Sequence, residues 1–227
     1  MEPVPGTAEV LRSLRESGAG DVEAALRELA TRIAEVVPSC IGLSLSVARG
    51  GLTFTLASTG AGVAGLDGVQ YLVGGPCIDT ALEDVEITVD DVLDEERWQR
   101  FAIAAAASGV HSTLSLPLTT AGLGAGSVNI YAAHAHAFAG SRDALREIVG
   151  AGVDLAVTNA DLSFRTRASA DAGPQSLRAL DVVEQAVGYL MAAERIDAER
   201  ARGRLVEAAE RAGADLPTVA RALIGGS

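Results

Sequence analysis

The sequence predicts an α+β chain: an antiparallel sheet with flanking helices, then a long linking helix and an all-α three-helix unit. Three observations carry this. Apolar and small or polar residues alternate at period two from Ile41 to Ala57, around Arg49-Gly50-Gly51. A seven-residue apolar pattern runs from Leu145 to Leu162. Beyond Pro174 the apolar residues recur only at helical spacing.

Residues 1–20 hold Pro3, Pro5, Gly6, Gly18 and Gly20, and are expected to be a loose start with a short helix around Ala8–Glu16. Asp21 is placed to cap a helix to about Val37, with Ala25, Leu29 and Ile33 on one stripe and Pro38 ending it. Ile41, Leu43, Leu45 and Val47 then face one way and Gly42, Ser44, Ser46 and Ala48 the other. Leu52, Phe54 and Leu56 complete a hairpin. Gly60–Gly75 is rich in glycine and is expected to be a flexible loop, interrupted by Val69–Val73. Pro76 opens a short helix to about Glu83, Val85–Val89 is a strand, and Asp94 or a neighbour caps a helix through Trp98, Phe101 and Ala105. Thr113–Leu118 and Gly124–Ala132 are strands.

Ser141 starts the long helix, expected to reach Arg165. Its heptad places Leu145, Gly152 and Asn159 at one seam position and Ile148, Leu155 and Leu162 at the other. Leu145, Ile148, Leu155, Asn159 and Leu162 are therefore candidates for dimerisation, and packing on the domain's own sheet is the plainer use of the same stripe. Ala168–Pro174 is a linker. Helices follow at about Pro174–Arg195, Ala198–Ala212 and Pro217–Ile224. The expected division is thus 1–20, 21–140, 141–167, 168–174 and 175–227. So small a trio has a thin core and gains from dimerisation or from docking on the long helix.

Composition narrows the function. The 227 residues carry a formal charge of −12, which excludes a general nucleic-acid coat and leaves room only for a local site. Residues 1–169 hold 21 acids and 11 Arg, whereas residues 170–227 hold 9 acids and 7 Arg. Every basic residue is Arg, so lysine Schiff bases and lysine phosphate loops are excluded. Two cysteines are too few for a disulfide scaffold. No run reaches the ~18 apolar residues of a membrane span, and Met1–Gly20 has no signal-peptide core. A soluble cytoplasmic chain with no membrane partner is expected, and no nucleophile–base pair points to an enzyme.

The segment Val182-Val-Glu-Gln-Ala-Val-Gly-Tyr-Leu-Met191, with Ala201, Leu205, Ala209, Leu216 and Val219-Ala220, resembles an ANTAR domain, the RNA-binding output module of bacterial antitermination regulators. Ala186, Gly188, Leu190, Met191, Ala201, Leu205, Ala209 and Ala220 carry the structural motif. The resemblance implies binding of a stem-loop leader RNA by a homodimer. Gln185, Arg195, Arg200, Arg204 and Arg211 are the candidate RNA contacts, since RNA requires converging positive charge. Leu180, Val187 and Val206 stand where that family is commonly basic, and the alternative is a protein-interaction regulator whose output domain has lost RNA binding.

The stretch Asp21–Asp161 resembles a GAF domain through Gln70-Tyr71, Gly75-Pro-Cys-Ile-Asp79, Val89-Asp-Asp91, Arg97-Trp98, Phe101, Gly109-Val110, Ser115-Leu-Pro-Leu118 and Asn129-Ile-Tyr131. This implies a sensory fold built on a GAF-like antiparallel sheet, with a possible small-molecule ligand of unknown identity. Tyr71, Cys77, Trp98 and Tyr131 are candidates for lining its pocket, with core packing the default for such aromatics. Cys77 sits in a first helical turn, which can activate a thiol; a small buried hydrophobe is the plainer reading. His134 and His136 could form half of a metal site, but no third ligand is evident. The acids Asp90, Asp91, Asp94, Glu95 and Glu96 read as helix-start residues rather than an ion loop.

Overall fold

The computed structural model describes residues 19–49, 51–120, 124–159 and 176–225. The expected helix at Ala8–Glu16, the linker 168–174 and Leu162 lie outside the described residues. Helix α1 (Ala19–Val36) leads into β1 (Cys40–Arg49) and β2 (Leu52–Ser58). Then come α2 (Ala61–Val73), α3 (Pro76–Glu83), β3 (Ile87–Val89), a 3-10 turn at Val92–Asp94 and α4 (Gln99–Ala107). Strands β4 (Ser112–Thr120) and β5 (Gly124–Ala132) follow, then α5 (Arg142–Asn159), α6 (Ser176–Glu194), α7 (Ala198–Ala212) and α8 (Leu216–Ile224). The five strands form one antiparallel sheet in the order β2-β1-β5-β4-β3. The α+β class and the antiparallel sheet are as the sequence predicts.

Period-two alternation sorts the sheet into two chemically different faces. Leu43, Leu45, Leu114, Leu116, Val128 and Ile130 pack with α1 and α5 in one apolar cluster. The alternate positions Ser44, Ser46, Thr113, Ser115, Ser127, Asn129 and Tyr131 form the other face. In a sheet with one wet side these polar positions would meet water. Here all seven are buried, because α2 and α3 cover them.

Several elements differ from expectation. Gly60–Gly75 is not a flexible loop: it contains α2, whose Val63, Leu66, Val69 and Leu72 recur at helical spacing and are buried. Burial of that stripe outweighs the helix penalty of its three internal glycines, each worth up to ~1 kcal/mol. Ala19 and Gly20 are already helical, so Asp21 lies within α1 rather than capping it. The strand expected at Val85–Val89 shortens to Ile87–Val89. The Asp94 region is a 3-10 turn capped by Asp91, which accepts from the Leu93 N–H at 2.9 Å, and α4 starts only after Trp98.

Helix α5 packs on α1, with Leu145 and Val149 fully inside the domain core. Leu145 is thus a core residue rather than a pairing position, and Ile148 is half-buried against the same cluster. The side chains of Leu155 and Asn159 lie outside the described residues. The C-terminal trio docks on α2 and α4 rather than on the long helix. Val183, Val187, Leu190, Leu205, Val219 and Leu223 join the same apolar cluster as α2 and α4.

Candidate functional site

Two groups of side chains meet across α2. On its inner side, Asp67, Gln70 and Tyr71 point to the polar face of the sheet. Asp67 is fully buried, and its carboxylate accepts from three hydroxyls. Tyr131 donates to Oδ1 at 2.5 Å, Ser44 to Oδ1 at 3.1 Å and Thr55 to Oδ2 at 2.8 Å. Burial raises the carboxyl to about 6, even though these bonds favour the charged form.

Gln70 joins the cluster to the next helix. Its Nε2 donates to the Tyr131 hydroxyl at 3.0 Å, and its Oε1 accepts the Cys77 N–H at 2.9 Å. Asn129 donates to Ser44 and Ser46 at 3.1 and 3.2 Å, while its Oδ1 is buried with no hydrogen-bond partner among the described residues. The Tyr71 hydroxyl lies 2.7 Å from Thr55 Oγ1 and 3.5 Å from Ser46 Oγ. Burial, reinforced by the Asp67 charge, pushes both Tyr71 and Tyr131 above the usual phenol range.

Tyr71, Cys77 and Tyr131 therefore converge, whereas Trp98 is half-buried at the margin of the same apolar cluster, beneath Arg97 at 4.0 Å from its ring centroid. Cys77 is fully buried and its thiol is raised well above its ordinary value, chiefly by burial. Desolvation overrides the helix N-terminus, so the reactive-thiol reading fails. His134 and His136 do not pair on a metal: among the described residues no group of three His, Cys, Asp or Glu is placed to hold one. His136 is in the left-handed region and its N–H goes to the Asp90 carbonyl at 2.6 Å.

On the outer side of α2, the C-terminal helices settle closely. A Cβ on Gly68 would lie 2.7 Å from Val219 Cγ2 and 3.4 Å from Ala212, and one on Gly65 would lie 3.1 Å from Thr218 Cγ2. Asp197 and Asp215 cap α7 and α8 by accepting from the N–H of Arg200 and Thr218 at 2.8 and 2.7 Å. Ala186, Leu190, Ala201, Leu205, Ala209 and Ala220 are buried, as close helix packing requires. Gly188 and Met191 are exposed, and a Cβ on Gly188 would meet nothing within 4 Å among the described residues. Val187 is buried, and a lysine there would be costly.

The five candidate RNA contacts divide. Gln185, Arg195 and Arg200 are exposed. Arg204 turns towards α2: it donates to the Leu72 carbonyl at 2.6 Å and pairs with Glu194, which also meets Arg100 at 3.7 Å. Arg211 is buried; its Nε donates to the Thr53 carbonyl at 2.9 Å and its guanidinium lies 4.4 Å from the Tyr71 centroid. Burial lowers the pKa of both, with Arg211 the more enclosed. Arg202 pairs with Glu184.

A family model for the ANTAR domain matches residues 174–224. Residues 174–224 are an ANTAR domain. Such domains mark a family of RNA-binding antitermination regulators. Among solved structures, the chain is similar to a domain of a two-component sensor histidine kinase protein from Sinorhizobium meliloti 1021. That similarity has a TM-score of 0.42 and 20% identity over 59% of this chain and 90% of the other. It is also similar to SdiA in complex with octanoyl-rac-glycerol, with a TM-score of 0.43 and 14% identity over 100% of this chain and 98% of the other. No curated protein gives a significant match. No helix among the described residues is long and apolar enough to cross a membrane.

Asp67 was not singled out in the sequence, and Gln70 and Asn129 only as part of a family resemblance. The signal was the stripe Val63, Leu66, Val69 and Leu72, which makes Gly60–Gly75 helical and sets Asp67, Gln70 and Tyr71 at three- and four-residue spacing.

Proposed function

We propose that the chain is a signal-responsive RNA-binding antitermination regulator, in which a GAF-like domain senses and the ANTAR domain acts. One observation carries this: a single helix, α2, gives its inner residues to the Asp67 cluster and its outer residues to the ANTAR helices. A change at the cluster therefore reaches the output through one rigid element. The sensed molecule is a small hydrogen-bonding ligand that replaces bonds within the Asp67–Asn129 cluster. Gln185, Arg195 and Arg200 meet stem-loop RNA first. The active form is a homodimer paired through the part of the long helix beyond the core residue Val149, and it works in the cytoplasm.

The second reading is a protein-interaction regulator that no longer binds RNA. Arg202 and Arg204 favour it, because each is matched by a glutamate. A tandem stem-loop RNA titrated against the full chain at several salt concentrations separates the two. Retention that weakens with salt, and weakens further in Arg195→Ala with Arg200→Ala, supports the RNA reading. No retention at low salt supports the second.

A further inference from the structure

We propose that the face of α7 and α8 carrying Arg204 and Arg211 is a two-partner surface: it closes on α2 of its own chain and opens to a phosphate-rich partner, with Tyr71 setting the balance. The inference rests on the RNA reading only for the identity of that outer partner.

The closed contact consumes the charge an RNA would need. Arg211 is seated between the Thr53 carbonyl and the faces of Tyr71 and Phe54, at 4.4 and 5.7 Å to their centroids. Arg204 is held by the Leu72 carbonyl and Glu194. A guanidinium so placed cannot also reach a phosphate. The exposed remainder of the ANTAR surface mixes Arg195, Arg200 and Arg221 with Asp181, Asp197, Glu199, Glu210 and Asp215, a poor field for a polyanion.

The seat is also tied to the sensory cluster. The ring of Tyr71 faces Arg211, while its hydroxyl bonds Thr55, which in turn donates to Asp67. Displacing that hydroxyl moves the ring, and moving the ring removes the cation's platform. Gly65 and Gly68 meet Thr218, Val219 and Ala212 at the centre of this contact, so a larger side chain at Gly68 would wedge the helices apart.

Hydrogen exchange on the full chain tests this, read at the amides of residues 198–224. Thr55→Val removes the hydroxyl that links Asp67 to Tyr71 without touching Arg211. It should raise exchange there by ~10-fold relative to Ile130→Val, a core change on the opposite face of the sheet. Equal exchange in the two variants, or exchange unchanged from wild type, overturns the coupling. Gly68→Leu wedges the interface while keeping every arginine, and Arg211→Met loosens it should the wedge prevent folding. Opened amides together with several-fold tighter binding of tandem stem-loop RNA by Gly68→Leu support the two-partner surface. Opened amides with measurable but unchanged RNA affinity overturn it. Opened amides with no RNA retention by either protein at low salt overturn the RNA half of the surface and the proposed function, while the Thr55→Val arm still decides the coupling.

Discussion

The guanidinium of Arg211 lies 4.4 Å from the ring centroid of Tyr71, joining a residue of the ANTAR domain to a side chain of α2, 140 positions earlier in the chain. The stacked cation is also hydrogen-bonded to the Thr53 carbonyl, so two interactions depend on one side chain.

Removing that charge should weaken the domain contact. Arg211→Met keeps an apolar stem but loses the cation–π contact and the charged hydrogen bond, and should destabilise the chain by about 1–3 kcal/mol. Urea unfolding followed by far-UV circular dichroism measures it. A variant as stable as wild type would mean that the stacked geometry contributes nothing.

Asp67 makes stability depend on pH with a definite sign. Its carboxyl is at about 6 in the folded chain and 3.8 in the reference state, so the folded state holds the proton more tightly. The stabilisation is fully present below about 3.8 and is lost as pH rises through about 6, by about 3 kcal/mol at most. Asp67→Asn, close in shape to the neutral acid, should therefore gain stability relative to wild type as pH rises from 4 to 7. A stability difference that stays flat over that range would contradict the raised carboxyl.

The cysteines should differ in accessibility. Cys77 is fully buried, and Cys40 is partly exposed with a weak bond to the Gly42 carbonyl at 3.7 Å. A thiol reagent at pH 8 should modify Cys40 in the folded chain and Cys77 only after denaturant is added. Rapid modification of Cys77 in the native protein would restore it as a reactive group.

Leu145 tests what the long helix does at its start. Leu145→Ala should destabilise the N-terminal domain by about 2–5 kcal/mol, independently of protein concentration, because it empties a buried site between α1, α5 and the sheet. Dissociation of a dimer with the domain's stability intact would instead make Leu145 a pairing residue.

The strands were legible because alternation of Leu43, Leu45 and Val47 with Ser44 and Ser46 survives in the sequence without any partner. The ANTAR helices were legible because Asp197, Gly213, Asp215 and Pro217 mark their ends with local capping chemistry. Helix α2 was hidden by its glycines, whose intrinsic preference opposes a helix that only burial stabilises. With α2 went Asp67, since a lone acid in an apparent loop gives no sign that it will meet Tyr131, 64 residues away.

Taken alone, the sequence determined the α+β class, the strand faces, the ends of the last helices and the ANTAR motif, all set by periodicity and capping within a few residues. Tertiary structure alone decided that the polar face of the sheet would be dry, that Asp67 would hold its proton to about 6, and that Arg204 and Arg211 would turn inward. Those outcomes depend on burial and on contacts between distant segments, which local spacing does not encode.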